Sequence, residues 1–180
     1  MQDSTKAVKR QFAPEFSQDA YKAMLKQEFH IGDYTAHPNA PQELSEEARG
    51  HMVTLLEELN FLKRYKEETL YLALSIADRY LVRVTVAQTV PPCLITLAVV
   101  ATLIAAKIEQ PISPSFIRMA HLVKEEWGVE ISKKELIDLE DRVLLTLDFE
   151  LHHVSPLPFL DRFLRLYGLD LSPNQAECAP

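Results

Sequence analysis

The stretch Leu97–Ile108, LAVVATLIAAKI, decides how this chain is read. Among its twelve residues only Thr102 and Lys107 are polar. A run that is apolar on every side predicts a helix buried all round at the centre of a helical protein. It is too short to cross a bilayer, which takes roughly 18 or more apolar residues. Punctuation brackets it. Pro91 and Pro92 are expected to open the helix and Pro111 to stop it, because proline lacks the N–H that a helix interior needs.

Outward from this centre the pattern stays helical. Ser113 and Pro114 read as N-cap and first-turn proline of a following helix. Ser132 with Glu135 reads as a capping box for another, running to about Leu147. Ser155 and Pro156 begin a last one, with Phe159, Phe163, Leu164 and Tyr167 on its apolar side. On the N-terminal side a helix over about Glu67–Val82 turns Leu70, Ala73, Leu74, Ala77 and Leu81 inward. Ser45 caps a helix to about Leu62, with Glu46 and Glu47 at its positive end and Met52, Leu55, Leu56 and Leu59 buried. A short first helix covers about Ser17–Phe29, with Tyr21, Met24, Leu25 and Phe29 on one face, followed by a loop through Gly32, Pro38 and Pro41. The tail from Gly168 reads as disordered. There are four glycines, no hairpin dipeptide and no long alternation of apolar and polar residues, so the fold class is all-α. No internal repeat interrupts it.

Composition narrows the function classes. A chain of 180 residues, 47% hydrophobic and 25% charged, suits one soluble globular domain with a real core. A net charge of −7 argues against an electrostatic grip on nucleic acid, which wants a basic surface. Cys93 and Cys178 lie far apart, so a reducing compartment is expected. The N-terminus MQDSTKAVKRQF lacks the apolar core of a secretory signal. The expectation is an intracellular protein of the nucleus and/or cytoplasm, with no membrane partner.

Four charges break the apolar pattern. Lys107 closes the apolar run, and Glu140 lies on the stripe marked by Leu136, Val143, Leu144 and Leu147. Each costs several kcal/mol if buried alone, so each needs a partner or an opening to water. If they meet at one surface they form a polar clamp in an apolar patch, suited to a partner protein. Lys107 stands at a helix C-terminus, where the dipole tolerates a cation; Glu140 is mid-helix and has no such excuse. Arg49 shares a stripe with Met52 and Leu56, and Asp78 sits between Ala77 and Leu81. Either each edges its stripe and reaches solvent, or the two pair bidentately and fix how their helices cross.

Other constellations are weak. His152 and His153 are adjacent, so their side chains diverge. His121 and Glu125 are a helical pair without a third ligand. Four glycines could hardly build a phosphate loop, the basic turn Leu62–Lys66 reads as solvated, and Trp127 beside Gly128 reads as a helix-end plug. No nucleophile–base arrangement is recognisable. No metal, cofactor or small-molecule ligand is expected.

The segments EARGHMVTLL, EETLYLALSIADRYL, TLIAAKIEQ and LEDRVLLTLDFEL, in this order, resemble the cyclin box, the five-helix domain by which cyclins bind cyclin-dependent kinases. The resemblance runs from about Ser45 to Leu166, and the preceding helix and linker resemble those of mitotic cyclins, of the A and B kinds. It implies a five-helix bundle around a central apolar helix, with one extra helix at each end. The expected division is 1–44 for the N-terminal helix and linker, 45–151 for the box, and 152–180 for a last helix and tail.

The resemblance also assigns roles. The family's buried Arg–Asp pair falls on Arg49 and Asp78, and its kinase-binding lysine and glutamate fall on Lys107 and Glu140. In the family these last two hydrogen-bond the backbone near the kinase's mobile regulatory helix. Apolar neighbours pack against that helix, and here they would be Ile104, Ile108, Leu144, Phe149 and Leu151, with Tyr21 and Met24 from the N-terminal helix. The implied function is a non-catalytic subunit that activates a cyclin-dependent kinase in cell-cycle control.

The chain also departs from the family. The patch by which some cyclins dock substrates falls on Ala48, His51, Met52 and Leu55, with Ile95 where glutamine is usual. Only the acidic Glu58 agrees, and Gly50 thins the surface, so substrate docking is expected to be weak or absent. Glu109 is followed by Gln110 rather than a second acid. The chain stops just after the helix that would begin a second box, so either that helix folds back on a single box or the chain is a shortened form. A cyclin-fold scaffold, a nucleic-acid or transcription-factor binder and a histidine hydrolase are the competing readings, in falling order.

Overall fold

The helices stand where capping chemistry puts them. The computed structural model describes residues 14–27, 44–151 and 154–167, and among them every regular element is helical. In order they are α1 (Pro14–Gln27), α2 (Glu46–Lys63), α3 (Glu67–Val86), α4 (Leu94–Glu109), α5 (Phe116–Trp127), α6 (Lys133–Thr146) and α7 (Pro156–Leu166). The all-α expectation holds. Helices α2–α6 form one compact unit, and α1 with α7 forms another.

Side-chain oxygens start three of the helices in the larger unit. Ser45, Ser115 and Ser132 accept from the N–H groups of Ala48, Arg118 and Glu135, three residues on. The α5 cap is therefore Ser115 and not Ser113, so Pro114 lies ahead of the helix. Pro91 and Pro92 likewise precede α4, whose N-cap is Cys93, without a side-chain bond.

The ends are less conventional. α5 closes on Gly128, in the left-handed region at φ 67°. Three other turns use non-glycine residues there: Arg64 at φ 52°, Gln88 at φ 54° and Asp148 at φ 53°. Each is held by the paired backbone bonds of a Schellman end. After α2, Arg64 N–H donates to Phe61 O and Tyr65 N–H to Asn60 O, both 3.0 Å. After α3, Gln88 donates to Thr85 and Thr89 to Val84, both 3.1 Å. After α6, Asp148 donates to Leu145 at 3.1 Å and Phe149 to Leu144 at 2.9 Å. Phe149 itself is left-handed, at φ 58°.

The core is built on α4. Every residue from Thr96 to Ala106 is buried, as its all-round apolarity requires. It packs against α2, α3 and α6. Met52, Leu56 and Leu59 of α2, Ile76 and Leu81 of α3, and Leu136, Leu139 and Val143 of α6 fill the space around it. Leu55, Leu70 and Leu74 are only half-buried, contrary to the stripe reading. α3 buries Leu72, Ile76 and Tyr80 instead, along with Ala73, Ala77, Leu81 and Val84. It is packed by α2, α4 and α6 together, so its buried arc is wider than a single stripe. Gln110, just past α4, donates through Nε2 to the buried Thr69 Oγ1 at 2.7 Å and ties the end of α4 to the start of α3.

In the smaller unit Tyr21 presents its ring to the edge of Phe159, with centroids 5.9 Å apart at 77°. The Arg162 guanidinium lies 4.4 Å over the same ring.

Candidate functional site

The two charges that looked misplaced on α4 and α6 meet. Lys107 Nζ donates to both oxygens of Glu140, at 2.6 and 2.7 Å. Their side chains are 34% and 11% exposed, so the carboxylate is sunk in the helix packing while the ammonium reaches the surface. The partner that Glu140 required is therefore Lys107. The ammonium also sits 4.6 Å from the centre of the Phe116 ring at the start of α5, whose negative face attracts a cation. Three helices thus converge on one lysine.

Ile108 and Leu144 are the pair's apolar neighbours on α4 and α6. Ile108, next to the lysine, is 41% exposed. Leu144, one turn along α6 from Glu140, is half-buried, and so is Leu151. Phe149, in the turn after α6, is 64% exposed, a large ring left facing water. Ile104 is different. It is 2% exposed and belongs to the core, so it cannot meet a partner's surface as expected; α4 is enclosed on the side where that residue points. Tyr21 and Met24 lie half-buried on α1, in the smaller unit.

The second pair is confirmed as a fork. Arg49 Nε donates to Asp78 Oδ1 at 3.1 Å and Nη2 to Oδ2 at 2.7 Å. The aspartate side chain is 8% exposed and the arginine 40%. This bidentate bond joins α2 to α3, and of the two readings the ion pair is the one realised.

The residues placed at the substrate-docking patch are not one surface. Met52 is 0% exposed and packs in the core, because it faces α4 rather than solvent. Ala48 and Leu55 are half-buried, and Gly50 and His51 are exposed. Glu58 is exposed and accepts from Trp127 Nε1 at 3.0 Å, so the one acidic residue that fits the patch is engaged by an indole. Trp127 thereby links the end of α5 to α2. His121 Nδ1 and Glu125 Oε2 meet at 3.1 Å on an exposed face of α5. His152, His153 and Cys178 lie outside the described residues, while Cys93 is exposed. Among the described residues no group of three potential metal ligands converges, and no helix is long and apolar enough to cross a membrane.

Two residues that periodicity did not single out hold the turn after α6. Arg79 of α3 donates through Nη1 to Glu150 O at 2.7 Å and through Nη2 to Leu151 O at 3.3 Å, and its Nε bonds Ser75 O at 3.3 Å. Arg83, one turn on, pairs with Asp148 at 2.8 Å. Burial, and then the neighbouring Arg83 cation, lower the Arg79 pKa, and Glu150 pushes it back up. The guanidinium stays charged regardless. The only sequence signal for this was an arginine directly after Asp78 on a mostly buried helix.

An all-helical array wrapped on a central apolar helix, with ion pairs tying its helices together, is the arrangement of the cyclin box. The chain belongs to the cyclin family: the family model described as the cyclin N-terminal domain matches residues 19–152. Among curated proteins it is 32% identical over 139 residues to the G2/mitotic-specific cyclin-B of Emericella nidulans, covering 77% of this chain and 27% of that protein. It is 32% identical over 124 residues to Cyclin-B2-3 of Arabidopsis thaliana, covering 69% and 27%. The G2/mitotic-specific cyclin-B of Dictyostelium discoideum matches at 28% over 149 residues, covering 83% and 30%. The matched stretch is thus less than a third of the length of these relatives.

Proposed function

We propose that this cyclin-domain chain is a regulatory subunit that binds and activates a cyclin-dependent Ser/Thr protein kinase in cell-cycle control, acting in the nucleus and/or cytoplasm. The observation that carries the reading is the Lys107–Glu140 pair, with Ile108 and Leu144 beside it on α4 and α6 and Phe149 and Leu151 in the segment that follows α6. Membership of the cyclin family and relatives whose names specify G2 and mitosis support it. The subunit supplies no catalytic group. Its work is to bind the kinase conformation in which a lysine–glutamate pair and the activation loop are set for phosphoryl transfer. Moving a kinase from about 1% to 99% active takes roughly 5.5 kcal/mol of differential binding. An interface of standard size, about 1,600 Å² in total, suffices for that.

Replacing both Lys107 and Glu140 by alanine tests it. Both partners leave together, so neither is stranded, and the helical signal and melting temperature stay close to the parent's. Copurification with the kinase is expected to be lost. A double variant that retains its kinase as well as the parent does sinks the proposal. The competing reading, a cyclin-fold scaffold, is favoured by the burial of Met52 and the engagement of Glu58 by Trp127, which leave no displayed docking patch. Kinase bound by the parent with no rise in phosphoryl transfer would decide for the scaffold.

A further inference from the structure

We infer that Arg79 is a positioning residue for partner binding: it straps the turn after α6 so that Phe149 stands out as a pre-set apolar anchor. The inference rests on the function proposed above, and it assigns a task to a residue outside the ion pairs.

The turn needs an external hold. Asp148 and Phe149 are both left-handed, at φ 53° and 58°. An aspartate tolerates that region, whereas a phenylalanine there is an outlier that persists only when its surroundings over-determine it. Phe149 gains little from its own burial, being 64% exposed. Two backbone bonds, Glu150 N–H to Leu147 O and Leu151 N–H to Phe149 O, both 2.9 Å, add to the pair that this turn shares with the Gln88 turn after α3. In that turn the side-chain bond is local, Thr89 Oγ1 to Val84 O at 3.4 Å. The Asp148 turn is instead bonded from far along the chain. Arg79 reaches the carbonyls of Glu150 and Leu151, 71 and 72 positions away, and Arg83 reaches Asp148, 65 positions away.

The geometry suits a guanidinium. Its Nη1 and Nη2 each take one of two successive carbonyls, while Nε is spent on its own helix at Ser75 O. A lysine has a single nitrogen and cannot hold all three oxygens in a fixed plane. The fork clamps the chain just beyond Phe149, and the Arg83–Asp148 bond clamps it just before. The ring between them is ordered before any partner arrives, which removes part of the ordering cost that binding would otherwise carry.

Two measurements on the full chain test this. In the free protein, the Phe149 and Thr89 amides make equivalent backbone bonds, and Phe149 is expected to exchange its hydrogen more slowly. In Arg79→Lys the Phe149 amide is expected to exchange at least about tenfold faster while Thr89 does not change. Unchanged exchange at Phe149 overturns the inference. In kinase binding, Arg79→Lys is expected to weaken affinity about tenfold. In a Phe149→Ala background the same substitution is expected to add nothing further. Fully additive losses would mean that Arg79 only stabilises the fold, and they also overturn it. Should Arg79→Lys fail to fold, Arg79→Gln, whose single amide nitrogen cannot span both carbonyls, carries both measurements with the same signature. A parent chain that binds none of a panel of cyclin-dependent kinases overturns the proposed function. A parent that binds, with Arg79→Lys at equal affinity, overturns the role of Arg79 alone.

Discussion

Arg49–Asp78 ties α2 to α3, and Lys107–Glu140 ties α4 to α6. In both, the acid is nearly sunk, at 8% and 11% side-chain exposure, and the base reaches solvent, at 40% and 34%. The donors differ. The arginine fork gives each carboxylate oxygen its own N–H group, in the planar geometry of a bidentate pair. The lysine places a single ammonium between two oxygens and keeps a freely rotating donor set. The neighbouring residues differ as well: exposed Gly50 and His51 follow Arg49, while the exposed Ile108 follows Lys107. Nearly equal burial thus accompanies two different bonding geometries. A fixed fork suits a helix crossing, and a point charge in apolar surroundings suits a surface where partners change.

The largest expected effect breaks the first pair. Arg49→Ala leaves Asp78 buried without its fork, at a cost of about 3 kcal/mol, the lower end for a stranded buried charge because the arginine itself reaches water. For a domain of this size that lowers the melting temperature by about 10 °C, readable by circular dichroism. An unchanged melting temperature would mean that Asp78 finds another partner and that the fork is not structural.

An intermediate effect separates the members of the second pair. Lys107→Ala alone strands the Glu140 carboxylate and is expected to cost about 1–3 kcal/mol in urea unfolding. Adding Glu140→Ala should restore most of that loss, since no unpaired group remains. A double variant less stable than Lys107→Ala would show that Glu140 has a structural task beyond answering the lysine, and the contrast between the pairs would narrow.

The smallest effect comes from a third pair, fully at the surface. The Lys124 hydrogen bond and charge hold the Glu130 carboxyl below its ordinary 4.5. A depressed carboxylate contributes stability above its unfolded pKa and loses it as pH falls through the lower folded value. Glu130→Gln should therefore melt marginally below the parent at neutral pH, and the gap should close as the solution is acidified below pH 4.5. A gap that widens in acid would contradict this sign. The pair serves as the baseline for charges with no burial to exploit.

Much of this was legible in the chain because burying a charge is expensive. Arg49, Asp78, Lys107 and Glu140 stand out from their stripes by periodicity alone, and the structure joins them in two pairs. What escaped has physical reasons. Arg79 works on backbone carbonyls, which every residue carries, so no complementary side chain advertises the contact. Arg64, Gln88 and Asp148 turn helix ends that glycine usually turns, and the strain is held by bonds formed only in the fold. Leu55, Leu70 and Leu74 lie on recognisable apolar stripes, but a stripe does not say which of its members the neighbouring helices enclose. Met52 and Ile104 are buried as an apolar stripe and an apolar helix require, against the surface roles that the family resemblance implied.

The burial of α4 on every side also bears on the order in which the chain can assemble. A helix this apolar is hazardous while uncovered, since exposed grease recruits other chains. Its covering helices α2 and α3 precede it in sequence and leave the ribosome first, whereas α6 follows at about 5–20 residues per second, so one flank waits on the order of seconds. Lys107 and Glu140 join α4 to the late-arriving helix. The lysine at the end of α4 puts a charge on that waiting flank, where α6 later brings Glu140 to it.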